Sequence, residues 1–137
     1  MKIEDYPLQV YSLFAKAVEG SNANFQKLLD LGYPQWAAFS NAILGEDDAL
    51  KWLLENGYPE MGVLANAIDD EPKAIEWLYQ YPDPLLFHFY QATKKNEKAI
   101  AWLEEQQCIP LILVAQSIHK AMEIRIKRES FWYKIHW

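Results

Sequence analysis

Small, branched and aromatic residues return along this chain at a fixed interval of 25. Trp52, Trp77 and Trp102 are equally spaced, and each carries the same neighbours: Ala49-Leu50-Lys51-Trp52-Leu53 becomes Ala74-Ile75-Glu76-Trp77-Leu78 and then Ala99-Ile100-Ala101-Trp102-Leu103. Seven residues ahead of each leading alanine stands another, Ala42, Ala67 and Ala92. Backward, Ala17-Val18 matches Ala42-Ile43, while Phe25 and Leu28 match Leu50 and Leu53; forward, Gln116-Ser117-Ile118 keeps the phase. Turn residues repeat as well, in Leu31-Gly32-Tyr33-Pro34 and Asn56-Gly57-Tyr58-Pro59. Agreement of many sites at one period marks a repeat architecture.

Each copy reads as two short helices. Met61, Leu64, Ala65 and Ile68 have helical spacing and predict a helix A over about 61–68. A turn at Asp69-Asp70-Glu71 leads to Pro72, which is tolerated in a first helical turn, and a helix B runs to about Tyr79 with Ala74, Ile75 and Leu78 inward. Gly57 is a natural stop because it takes the left-handed conformation, and Pro59 holds Tyr58 extended. Ser21 and Asn96 are good N-caps for other B helices. Helices shorter than about 12 residues are marginal alone, so the pairs must stack to bury a shared core. The expected fold is all-α, a solenoid of about five helical pairs with short loops. It forms one domain over residues 1–137: an N-cap at 1–15, repeats at about 16–40, 41–65, 66–90 and 91–115, and a C-cap at 116–137.

The stretch Gly45-Glu46-Asp47-Asp48-Ala49-Leu50-Lys51-Trp52-Leu53-Leu54-Glu55-Asn56-Gly57, with Ala42 ahead of it, resembles the second helix and closing glycine of the ankyrin repeat. The likeness is best over residues 41–78 and extends in weaker form over 16–118. The period is 25 rather than the family's usual 33, and the Thr-Pro-Leu-His opening is missing, echoed only by Pro34, Pro59 and Pro84. The resemblance implies a solenoid that binds other proteins. With little room for a projecting hairpin, helix A and the turns would have to supply the contacts.

Charge divides the chain. Residues 1–118 hold 8 Lys+Arg against 17 Asp+Glu, whereas residues 119–137 hold 5 against 2. The net charge of −6 disfavours nonspecific binding to nucleic acid or anionic membranes. A single cysteine, Cys108, excludes an internal disulfide and fits a reducing compartment. The start of the chain lacks an apolar signal core, and no apolar run reaches the roughly 20 residues that span a bilayer. The expectation is a cytoplasmic protein. At the C-terminus, Ala121, Ile124, Arg128, Phe131 and Ile135 make a partial helical stripe, while Phe131, Tyr133, Ile135 and Trp137 alternate as in a strand. A helix is favoured over a hairpin, folded back as a cap.

No catalytic set stands out. His88, His119 and His136 are scattered, metal-ligand spacings are missing, and no glycine-rich phosphate loop exists. A pairing of Cys108 with His88 has no motif behind it. The expectation is a non-enzyme without cofactor or metal.

Recognition has three candidate surfaces. The turns from A to B are acidic in the middle copies (Asp47, Asp48, Asp69, Asp70) and basic in the next (Lys94, Lys95, Lys98), a polarity that would orient a charged partner. One helix A position is always an amide: Asn41, Asn66, Gln91 and Gln116. The fourth helix A, Leu85-Leu86-Phe87-His88-Phe89-Tyr90, is apolar nearly all round, and Phe87 and His88 replace Ala37, Gly62 and Ile112, and Ala38, Val63 and Leu113. With Tyr79 and Tyr81 they form a potential aromatic hot spot. The tryptophans at 52, 77 and 102 are expected to pack between successive B helices. The resulting expectation is a non-catalytic protein–protein interaction module: an inhibitor, an adaptor or a bacterial immunity-type protein. The alternative is a homo-oligomeric assembly protein using its aromatic C-terminus.

Overall fold

The computed structural model describes residues 2–135, with side chains through residue 131. Among these, every regular element is helical. A short 3-10 turn, Ile3–Asp5, precedes α1 (Leu8–Val18), α2 (Asn22–Asp30), α3 (Pro34–Ile43), α4 (Asp47–Glu55), α5 (Pro59–Ile68), α6 (Pro72–Gln80), α7 (Pro84–Thr93), α8 (Glu97–Glu105) and α9 (Ile109–Ile135). Odd-numbered helices are the A members and even-numbered ones the B members. The repeat boundaries at 15/16, 40/41, 65/66, 90/91 and 115/116 fall inside A helices, and each helix pair begins at its A helix.

The ends of these helices follow local chemistry. Proline occupies the first turn of α3, α5, α6 and α7. Ser21 accepts from Asn24 N, and Asn96 from Ala99 N, as capping residues do. After each A helix the chain needs one left-handed residue to close the turn. Gly20 and Gly45 supply it at φ +113° and +99°, and Asp70 and Lys95, one and two periods later, take φ 64° and 61° without that freedom. The closing hydrogen bonds are the same in each, from Glu46 N to Asn41 O, Glu71 N to Asn66 O and Asn96 N to Gln91 O.

The A helices carry the core. α3 buries Trp36, Ala37, Phe39, Ser40 and Ile43, whereas α2 and α4 bury only Leu28 and Leu53. Phe14 stacks on Phe39 with centroids 5.3 Å apart, and Trp36 meets Tyr6, Tyr11, Phe14 and Phe39 edge-on. Successive A helices pack side by side, α1 on α3, α3 on α5, α5 on α7 and α7 on α9, and α9 then returns to α1. This last contact is one that an open stack, in which each pair touches only its neighbours, does not contain. The A helices therefore form a closed ring with the B helices outside it.

α9 is continuous from Ile109 to Ile135, so the hairpin alternative for the C-terminal segment does not hold for the residues described. The tail positions His136 and Trp137 lie outside them. α9 is longer than its predecessors because it has a second task. Beyond Ile118 it runs past the C-terminal ends of other A helices, where carbonyls lack partners. His119 Nδ1 meets Thr93 O at 2.8 Å, a contact that requires the proton on that nitrogen, and Arg125 Nη1 donates to Ile43 O at 3.0 Å. Lys94 Nζ donates to Ile68 O at 2.9 Å, so the carbonyls at 43, 68 and 93, one period apart, each receive a donor. Positive groups there also complement the helix dipole. None of the described helices is long and apolar enough to cross a membrane.

Candidate binding surface and cavity

The aromatic residues singled out around α6 and α7 divide into two groups. Tyr79 and Phe87 meet edge to face at 5.4 Å, and Tyr90 joins Phe87 at 6.1 Å. Tyr79 is 74% exposed and the other two rings are half-buried, so this cluster is open to solvent. Its origin lies in one repeat-related pair of sites. Tyr79 and Phe87 stand where the preceding copy has Leu54 and Gly62, and there the leucine tip fills the space above the glycine, approaching to 2.7 Å of where a Cβ would sit. Large rings at both sites cannot nest in this way and stand out from the surface.

His88 does not join that cluster. Its ring stacks on Trp102 at 4.1 Å, and Nδ1 meets Pro84 O at 2.8 Å. Cys108 is not paired with it; the thiol donates weakly to Gln106 O, and burial, then Glu4, push its pKa up, opposite to the shift that makes a nucleophilic thiolate. Each tryptophan stacks on a ring: Trp52 on Tyr58, Trp77 on Tyr81 and Trp102 on His88.

Part of the polarised turns is engaged within the chain. Asp70 pairs with Lys94 at 2.9 Å and Asp69 with Arg125 at 3.2 Å. Asp47 and Asp48 remain exposed in the first turn of α4, where the helix dipole favours acids. The amides Asn41, Asn66 and Gln91 are half-buried and Gln116 is exposed; none of them takes part in the side-chain hydrogen bonds found among the described residues.

Tyr81 belongs to the second group, a cavity of about 320 Å³ at the end of the ring where the A helices begin. Residues 2–6 roof it, held by Tyr11, whose hydroxyl donates to Ile3 O at 2.6 Å and accepts from Tyr6 N at 3.0 Å. Gln35 Nε2 donates to Tyr6 Oη at 3.1 Å. The walls include Tyr58, Tyr81, Glu60 and Asp83, with Lys2 and Glu4 at the roof. Tyr81 Oη donates to Glu60 Oε1 at 3.4 Å, and burial, then the charges of Glu60 and Asp83, raise its pKa. Asp83 caps α7 by accepting from Leu85 N at 3.0 Å. Asp83, Glu60 and Glu4 are not among the candidates that the repeat pattern points to. One signal was present: Asp83 occupies the repeat position held by Tyr33 and Tyr58, so a small acid replaces a ring at that phase.

Among the described residues, no group of three or more His, Cys, Asp or Glu side chains comes together as a metal site. No protein-family model, curated protein or solved structure matches this chain.

Proposed function

We propose that this chain is a non-catalytic protein-interaction module built from shortened ankyrin-like helix pairs, acting as an inhibitor, an adaptor or an immunity-type protein in the cytoplasm. The observation that carries the reading is the open cluster of Tyr79, Phe87 and Tyr90. Exposed aromatic rings that lose little freedom on contact are the residues that anchor protein interfaces. Support also comes from the free amides of Asn66 and Gln91 on helix A, which are available to read a partner's backbone. The acidic balance of the chain argues for a protein over nucleic acid or an anionic membrane. The module needs no cofactor.

The test is capture of one stoichiometric partner from the protein's own cells, followed by titration with the purified pair. Replacing Tyr79 and Phe87 with alanine is expected to weaken binding by about tenfold or more, measured at a temperature where the variant, which loses some of Phe87's packing on the core, is still fully folded. A partner bound equally well by the double variant moves the interface elsewhere, and the lack of any stoichiometric partner removes the reading.

One observation favours a second reading, self-assembly. Beyond Met122, α9 leaves the core, and Ile124, Ile126 and Phe131 are each more than half exposed. Light scattering of the intact chain and of one ending at Ser130 decides it: a monomer in both forms excludes assembly through this helix.

A further inference from the structure

The cavity roofed by residues 2–6 has a chemistry of its own. Two tyrosine rings, Tyr58 and Tyr81, contribute to its wall, and each is braced from behind by a tryptophan, at 5.9 Å and 4.7 Å. Rings held in this way offer apolar surface, and on the face that the tryptophan leaves open an electron-rich one, at little further cost in ordering. Glu4, Glu60 and Asp83 line the same space, and Lys2 is the one base among the lining residues. Lys2 makes no ion pair with any of them among the described residues.

The starts of α5 and α7 each present about half a positive charge, and Lys2 adds one more. Three carboxylates face these positive charges, and burial first, then the charges of Glu60 and Asp83, raise the pKa of Tyr81. These carboxylates do not come together as metal ligands among the described residues. Carboxylates and tyrosine rings lining one space suit a cation that carries apolar surface as well as charge. A volume of about 320 Å³ is at the small end for ligand pockets, enough for one short chain and its charged head.

We propose that this cavity binds an alkylammonium group, with its carbon stem against Tyr58 and Tyr81 and its charge facing Glu60 and Asp83. The group has two sources, a lysine side chain of another protein or a free short-chain amine. The proposal does not depend on the interaction surface at Tyr79 and Phe87, and a small-molecule probe keeps the two tests apart.

The experiment titrates the full chain with n-butylammonium and follows backbone amide resonances and tryptophan fluorescence, with n-butanol as the neutral probe of equal size. Two substitutions remove charge and keep the fold: Glu60→Gln still accepts from Tyr81, and Asp83→Asn still caps α7. Thermal unfolding confirms that both remain folded. The expected result is saturable shifts at Tyr58, Glu60, Tyr81 and Asp83 with the ammonium probe, about tenfold weaker in the double variant. Lys2→Met, which removes the competing base, is expected to tighten binding. Equal response to n-butanol, undiminished binding in the double variant, or no saturable shift up to about 10 mM probe overturns the proposal. For a site that binds, a capped Gly-Lys-Gly peptide and 1,4-diaminobutane separate the sources. Tighter binding of the peptide points to a protein side chain, and tighter binding of the diamine to a free amine.

Discussion

Arg125 donates to the backbone carbonyl of Ile43 at 3.0 Å across 82 residues of sequence. The contact completes a rule that the repeat itself began. Lys94 reaches Ile68 O and His119 reaches Thr93 O, each from a side chain 26 residues after the carbonyl it serves. The residue 26 after Ile43 is Asp69, which has no proton to give. The carbonyl is served instead from α9, and Asp69 holds the substitute donor in place at 3.2 Å.

Removing that donor is expected to leave Ile43 O and Asp69 without their shared partner. Arg125→Met should lower stability by about 2 kcal/mol, the range for a hydrogen bond to a charged group. Adding Asp69→Lys restores the repeat's own donor and should recover about half of the loss, a coupling that a double-mutant cycle in urea measures. Equal and additive losses for the two substitutions would show that Asp69 and Lys94 are not at equivalent sites.

Lys95 occupies a left-handed turn position at φ 61°, where the first two copies have Gly20 and Gly45. A non-glycine residue there costs about 1 kcal/mol, partly offset by the freedom a glycine gains when unfolded. Lys95→Gly is expected to raise stability by about 0.5 kcal/mol or more, visible as a small upward shift in melting temperature. Gln107, at φ 60° after α8, should behave in the same way.

Ser40 is fully buried on α3, and its hydroxyl has no hydrogen-bond partner among the described residues. Ser40→Ala removes that uncompensated group at almost no change in volume. Stability should stay level or rise by about 1 kcal/mol, read from the urea midpoint at constant m-value. A loss would mean that the hydroxyl is satisfied in solution.

These contrasts show which features a sequence of this kind discloses. The helix pairs were legible because their causes are local: the proline at 72 in a first turn, caps at Ser21 and Asn96, the stop at Gly57, and apolar sites at helical spacing. The closed ring was not, because it depends on the small rotation from each pair to the next, which no single residue records. For the same reason the acidic turn looked like a free rim; the groups that engage Asp69 and Asp70 lie 56 and 24 residues further on. The aromatic cluster was half visible. Phe87 and Tyr79 meet as the variable phase suggested, whereas His88 turns to Trp102, since Nδ1 is drawn to the Pro84 carbonyl one helical turn back.

Tyr11 ties the roof of the cavity to the ring, and burial, which outweighs the backbone hydrogen bond to its oxygen, raises its pKa from 10.0 to about 12. The protonated form is the one that the fold favours. Its contribution is therefore complete below the unfolded pKa, near 10, and is lost as the pH rises through about 12. Stability measured across that interval should fall more steeply for the native chain than for Tyr11→Phe. The phenylalanine variant should itself be less stable by about 1–2 kcal/mol at neutral pH, having lost both contacts of the hydroxyl.

The seam between α1 and α9 carries a consequence for how such a chain can grow. A linear array accepts another copy of its unit anywhere along its length, because each newcomer needs only a neighbour on either side. Here the last A helix must come back to the first, so a further 25-residue copy would separate α1 from α9 or force every angle between neighbours to change. The circle limits its own copy number. Lengthening by duplication would break or re-angle this seam, whereas variation on the faces of the existing copies leaves it intact.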